Sequence, residues 1–408
     1  MTLGFGIWVF FGVWLLGFGI SSAAQPATVI LLPEPFARRY VVVDASLPLD
    51  RAPLPPRVVD VATGAALPCR WETTKGPTHV AWVVPAVAAG ASPKFRIEAG
   101  GPEDDAPPKA GEGVRFETNA DGSVGVLVRG REVTRLRPKA EAVEAAYRKP
   151  YFQPILAPGN VVVTRGYPAD PRPGESQDHP HHVSCFFAHG DVNGVNFWNL
   201  NPIRIAQVSA GDRGRAFAIL HFAADWASGT NIFLQERREV RVLDVAPEVI
   251  LDVLVELTAV ADTVTFGQTK EGGFAIRVAD FLTEKAGAVM IDSEGRHGEK
   301  EIWSNRAAWV DYSGTFEGKK VGVAMMAHPG GFRSPPPWHA RGYGLFAANP
   351  LGEKIFTEGK TAKNLTLKKG ESITFRYRIL IDAGPQTLSA KQLGAVATDF
   401  AKRIVASK

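Results

Sequence analysis

The chain has 408 residues, 45% hydrophobic and 22% charged, with a formal net charge of +4. That balance fits a folded chain with a sizeable core and excludes an intrinsically disordered one. No block of Lys or Arg accompanies the weak basic bias, so no nucleic-acid partner is expected. After residue 20 no apolar run is long enough to cross a bilayer as a helix.

Residues 1–24 carry no charged side chain, and Leu3 to Ile20 is an apolar run followed by Ser21-Ser22-Ala23-Ala24. This predicts an export signal cut near Ala24, although no Lys or Arg precedes the run. The mature protein is then periplasmic or extracellular, with no stable membrane span once the signal is removed. From 27 to 100 short β-rich runs follow one another. They are Val41-Val42-Val43, Val58 to Val61, His79 to Val84 and Lys94 to Glu98, separated by Pro and Gly. A small β-sandwich over 27–100 is expected, then a polar linker rich in Pro and Gly over 101–112.

From 113 to 385 strand follows strand. Val124 to Val128, Arg215 to Phe222, Glu239 to Val245, Val249 to Thr258 and Ser372 to Ile381 are the clearest. Glu239 to Val242 alternates charged and apolar residues, as a half-buried strand does. The fold class read from this pattern is all-β: a large antiparallel two-sheet sandwich after the small one. One helix closes the chain over 386–408. Ser389 caps it, and Leu393, Val396, Phe400 and Ile404 recur at helical spacing. Cys69 and Cys185 fall in different domains and are expected as free thiols.

Four of nine histidines fall within eleven positions: His179, His181 and His182 after Asp178, then His189 before Asp191, Asn193 and Trp198. Imidazole exchanges protons near neutrality and is the commonest metal ligand. On extended backbone His179 and His181 point one way and His182 the other. A second cluster, Ala327 to Gly344, holds His328, Trp338, His339 and Arg341 between Pro and Gly residues. Trp offers a flat face to a sugar ring, and Arg a rigid fork of donors. Glu271 stands at a turn before a strand that carries Arg277. Trp198 and Trp309 have core packing as their alternative reading, and Arg165 and Arg277 surface pairing. His79, His221 and His297 read as ordinary satisfied or solvated histidines.

Several ordered motifs together resemble the family of methane oxygenase PmoA-like proteins. They are Lys149-Pro150-Tyr151-Phe152, Thr164-Arg165, the His179 to Trp198 run, Lys270-Glu271-Gly272, Trp309 to Gly314, and His328 to Pro350. The resemblance covers most of 113–385. Methane oxidation is set aside, since a membrane monooxygenase subunit needs several long apolar spans. A looser similarity is to galactose-mutarotase-like sandwiches, at the level of fold alone.

The leading functional expectation is an exported carbohydrate-active enzyme. His179, His181, His182, Glu271, His328 and His339 are its acid–base residues. Arg165, Asp178, Asp191, Asn193, Trp198, Arg277, Trp338 and Arg341 are its sugar-binding residues. Epimerase, lyase and hydrolase chemistry all remain open. One alternative is a divalent metal at the histidine cluster, with Asp178 or Asp191 as a further ligand. The other is a sugar-binding module without turnover.

Overall fold

The computed structural model describes residues 26–48, 52, 54–73, 76–138, 148–209, 214–362 and 364–402. The expected export signal at 1–24 lies outside them. The chain divides into two compact units, residues 1–107 and 108–408. Among the described residues no helix is long and apolar enough to cross a membrane.

The first unit holds a four-stranded sheet ordered Ala27–Ile30, Lys94–Ala99, Pro56–Asp60, Ala66–Leu67. A three-stranded sheet ordered Arg38–Leu47, Thr78–Val87, Cys69–Thr73 accompanies it. Both contribute to one core around Val58, Trp82, Phe95 and Ile97. Arg38–Leu47 shows why: buried residues recur at alternate positions along its outer half, the period-2 signature of a sheet with one wet face. The expected linker contains a single helical turn, Pro102–Asp105, which begins on a Pro.

The second unit is the large sandwich. Its nine-stranded sheet runs Trp338–Ala340, Leu345–Ala348, Gly272–Arg277, Cys185–His189, Tyr151–Ala157, Arg131–Arg137, Val124–Val128, Val114–Thr118, with Val161–Val162 beside Tyr151–Ala157. The eight-stranded sheet runs Ile203–Ser209, Phe217–Ser228, Asn231–Leu243, Val249–Ala259, Ser372–Gly384, Lys319–Ala327, Trp309–Phe316, Val289–Asp292. The ladders within both are antiparallel. The all-β sandwich expected from alternation is therefore the observed fold.

Strand parity decides which side chains meet between the sheets. Residues directly opposite in a ladder point to one face. Phe187 faces Phe274 across its ladder, and both reach the eight-stranded sheet, at Phe375 and Tyr377 respectively. Phe186 and Ala275, one step along, point to the outer face of the nine-stranded sheet. The same parity carries Arg277, and through Ala347 also His339, to that outer face.

The C-terminal helix is Ala390–Ala401. Ser389 and Gln392 form a reciprocal capping box, and Leu393, Val396 and Phe400 are buried. Phe400 packs on His328 and under the Arg378 guanidinium, while Asp252 takes two hydrogen bonds from Arg378 at 2.6 and 3.0 Å. Neither Cys69 nor Cys185 is joined in a disulfide.

Gly273 fixes the strand that carries Arg277. Its φ is +87°, and a Cβ there would lie 1.9 Å from the Ala348 carbonyl oxygen. Gly273→Ala is expected to cost about 2 kcal/mol, because strain and collision act together. Ser389→Ala is expected to cost about 1 kcal/mol through the lost cap. Urea unfolding midpoints compare the two, and a Gly273→Ala chain as stable as the parent would contradict this ladder.

Candidate functional site

The histidine segment is a turn, not an extended run. The His182 amide donates to the His179 carbonyl at 3.0 Å, and His179 takes a φ of +45°. This corrects the expectation that His182 points away from His179. The turn instead stacks their rings at 4.9 Å and 4°. Tyr343 continues the stack, 5.0 Å from His179 at 8°. His181 meets His182 edge-on at 4.4 Å.

Two arginines hold this turn. Arg165 donates to the carbonyl oxygens of Asp178 at 2.7 Å and His179 at 2.9 Å, and to Asp178 Oδ1 at 2.5 Å. Arg277 donates to the same Oδ1 at 2.7 Å. Both guanidiniums are buried, whereas the Asp178 side chain is 43% exposed. Partial burial alone raises the Asp178 carboxyl, but Arg277 and Arg165 outweigh it and hold the group below the usual carboxylate range. Lys149, buried at the lead-in to Tyr151–Ala157, donates to the carbonyl oxygens of His181 (3.1 Å) and Trp198. Burial pulls its ammonium down to about 7, against the opposing pull of the Glu271 charge.

His339 reaches the same face from the strand Trp338–Ala340. Its Nδ1 lies 2.9 Å from the Lys270 carbonyl oxygen. A carbonyl only accepts, so Nδ1 carries the proton and Nε2 of the neutral ring keeps its lone pair. Burial pulls His339 down to about 3, assisted by the Lys270, Arg341 and His179 charges, although the bond to the Lys270 carbonyl opposes the shift. Burial likewise lowers His181 to about 4, and Lys149, His179, Arg165 and Arg277 add to it. Burial takes His182 well below the ordinary imidazole value. Trp303 meets the His339 ring edge-on at 4.8 Å, and Arg341 lies over Trp303 at 5.0 Å and over Tyr343 at 5.6 Å.

The structure thus brings together His179, His181, His182, His339, Arg165, Asp178, Arg277, Arg341 and, beside Lys149, Glu271. Other expected residues stand apart. His189 has the parity of Phe187, so it lies on the opposite side of its strand. Its Nε2 donates to the Gly267 carbonyl at 2.8 Å, and its ring packs on Phe266. His328 lies in the other sheet's environment, accepting from the Gly330 amide and packing on Phe400. Trp338 is buried between the sheets, with its indole donating to the Ala307 carbonyl, so no sugar ring reaches it. Asp191 and Asn193 brace their own loop through Gly194, Thr263 and Thr265. Trp198, by contrast, is fully buried beneath the histidine turn, edge-on to Phe186 and His182.

Among the described residues no group of three or more His, Cys, Asp or Glu is arranged to hold a metal. Stacking explains this at the turn: the lone pairs of His179 and His182 lie in nearly parallel planes and do not converge. Lys149, Tyr343 and Trp303 were not singled out as site residues from sequence. Lys149 and Tyr343 lay inside quoted motifs; Trp303 carried no signal.

The depressed imidazoles weaken this unit in acid, against the opposing effect of the buried Asp311, whose carboxyl is raised by burial to about 8. The folded values of the imidazoles lie below the ordinary 6.5, at about 4 for His181 and His189 and about 3 for His339. Between those values and 6.5 the unfolded chain binds more protons than the folded one, so stability falls as pH falls through that window. The urea midpoint is expected to drop steadily from pH 7 to about 4, and His189→Asn to flatten the slope. A midpoint independent of pH there would show that these rings are not desolvated.

Residues 123–397 match the model of a family described as a family of unknown function, DUF6807. No curated protein matches the chain. Among solved structures, an alpha-mannosidase from Enterococcus faecalis is 11% identical, with 92% of this chain and 45% of that one covered and a TM-score of 0.40. The galactosidase domain of an alpha-galactosidase-sucrose kinase is 9% identical, with 67% and 42% covered and a TM-score of 0.36. An alpha-galactosidase from Geobacillus stearothermophilus is 9% identical, with 68% and 39% covered and a TM-score of 0.28. The chain spans less than half the length of each of these structures. With its family model matched from residue 123 to residue 397, the chain belongs to the DUF6807 family.

Proposed function

We propose that the outer face of the nine-stranded sheet is the reaction site of a carbohydrate-active enzyme working by acid–base chemistry. The observation that carries this reading is the tautomer of His339: a neutral imidazole held by the Lys270 carbonyl with its Nε2 lone pair unprotonated. Such a nitrogen takes a proton from a sugar hydroxyl or an activated ring carbon. Glu271 adjoins Lys270, the residue that orients His339, and its charge acts on the buried Lys149 ammonium. His179 and His181 are the more accessible further proton carriers, since both are less buried than His182.

Sugar as the substrate class is supported by the company His339 keeps. Trp303 sets an aromatic ring beside His339 for sugar C–H groups, and Arg341 lies across it and across Tyr343. Arginine forks suit hydroxyl and carboxylate oxygens. The motifs that resemble those of PmoA-like proteins furnish most of these residues, from Lys149 through Arg165 and the histidine turn to Glu271 and His339. Export to the periplasm or cell exterior, read from residues 1–24, is part of the same proposal.

The test is a panel of neutral and acidic oligosaccharides followed by proton NMR. Anomeric exchange, new unsaturation and new reducing ends separate epimerase, lyase and hydrolase action. On the sugar that turns over, His339→Gln and Glu271→Gln are each expected to lower kcat by about 100-fold or more with the melting temperature preserved. His328→Gln is expected to leave kcat within about twofold. Turnover that survives His339→Gln rejects the acid–base assignment. Binding without turnover across the panel assigns the face to a binding module instead.

A further inference from the structure

Arg277 is better supplied with donors than with acceptors. Its side chain is buried, yet only Nη2 is hydrogen-bonded, to Asp178 Oδ1 at 2.7 Å and to Ser176 Oγ at 3.5 Å. Nε and Nη1 are buried without a hydrogen-bond partner, as is Nε of Arg165. Leaving a buried charged donor unmatched is costly, so these N–H groups are a demand for further acceptors.

The neighbouring carboxylates do not meet that demand. Asp178 already divides one oxygen between both guanidiniums. Glu175 accepts from the Gly166, Tyr167 and Arg172 amides and from the Arg172 guanidinium. Asp280 accepts from the amide and hydroxyl of Ser176. Glu299 accepts from the Gly342 amide and pairs with Arg341 Nε at 3.1 Å. Tyr343 packs close to both Arg277 and Arg341. Its ring is 4.6 Å from the Arg277 guanidinium carbon and 5.6 Å from that of Arg341. Arg341 is about one-third exposed, so it presents the rim of this arrangement and Arg277 its floor.

We propose that Arg277 and Arg341, both close to Tyr343, receive the carboxylate of an acidic sugar, making uronate-containing saccharides the substrate class of this face. The inference rests on the reading of this face as a sugar site. A planar carboxylate matches the guanidinium fork and offers the acceptors that Arg277 lacks. The sugar ring then lies beside Tyr343 and Trp303, within reach of the His339 imidazole.

The test is isothermal titration of oligoglucuronate and oligogalacturonate against their neutral counterparts, on the full chain. The acidic sugars are expected to bind about tenfold tighter or more at low ionic strength, with the preference shrinking as salt is raised. Arg341→Gln, at the exposed rim, is expected to reduce the preference by about fivefold or more without altering the melting temperature. Arg277→Lys keeps the charge but loses the fork, and is expected to reduce it as well. Equal affinity for acidic and neutral sugars overturns the proposal, as does an unchanged preference in folded Arg341→Gln and Arg277→Lys. Tighter binding of a sulfated neutral sugar than of any uronate overturns the carboxylate assignment. The two readings fail separately. Turnover of neutral sugars that depends on His339 removes the acidic-sugar inference and leaves the acid–base site. Uronate binding without turnover does the reverse.

Discussion

Two buried guanidiniums meeting on one carboxylate oxygen organise the candidate site of this molecule. Arg165 and Arg277 come from segments joined by the pairing of Thr164 with Val278. Their shared partner, Asp178, belongs to neither. Burying two like charges side by side is unfavourable unless a counter-charge joins them. Asp178 is therefore drawn onto the sheet, and the histidine turn comes with it. Arg165 then holds the carbonyls of Asp178 and His179, which keeps His179 at a positive φ that a side chain rarely adopts. The ring stack of His182, His179 and Tyr343 follows from that backbone.

The strand Cys185–His189 shows how the sheet separates stability from chemistry. Cys185, Phe187 and His189 point inward, and Phe187 packs against Trp226 and Phe375 of the opposite sheet. Phe186 points outward and carries Lys149 on its ring at 4.6 Å. Lys149 in turn supports the carbonyl of His181. One strand thus contributes a side chain to the core and the next to the floor of the site. A substitution at Phe187 reads out as stability, whereas one at Phe186 reaches the histidine turn through Lys149.

The strands were legible in the sequence because a half-buried sheet imposes a period of two, and the C-terminal helix because Ser389 and its apolar spacing are local signals. The segment that carries the candidate site stood out too, since histidines are scarce and crowd into one stretch. Its arrangement was not. Whether His179 and His182 face together depends on a turn that Arg165 stabilises from outside the segment. His328 and His339 share a loop rich in Pro and Gly, and nothing local separates them. The ladder does: His328 follows a strand of the eight-stranded sheet, and His339 pairs with Ala347 in the nine-stranded one. Trp338 and His339, adjacent in sequence, part by strand parity into core and site.

The charge state of this face ties its two chemistries together. His181 and His182 are neutral chiefly because they are buried, and secondarily because cations surround them: Lys149, Arg165 and Arg277 for the first, Arg277 for the second. An anion placed among the arginines cancels part of that cationic field, so it raises the imidazole affinities for a proton. By linkage, protonation of the same imidazoles strengthens anion binding by an equal factor. On the proposed reading, an acidic substrate among the arginines would thus make these imidazoles stronger bases and bring them nearer to proton transfer at neutral pH.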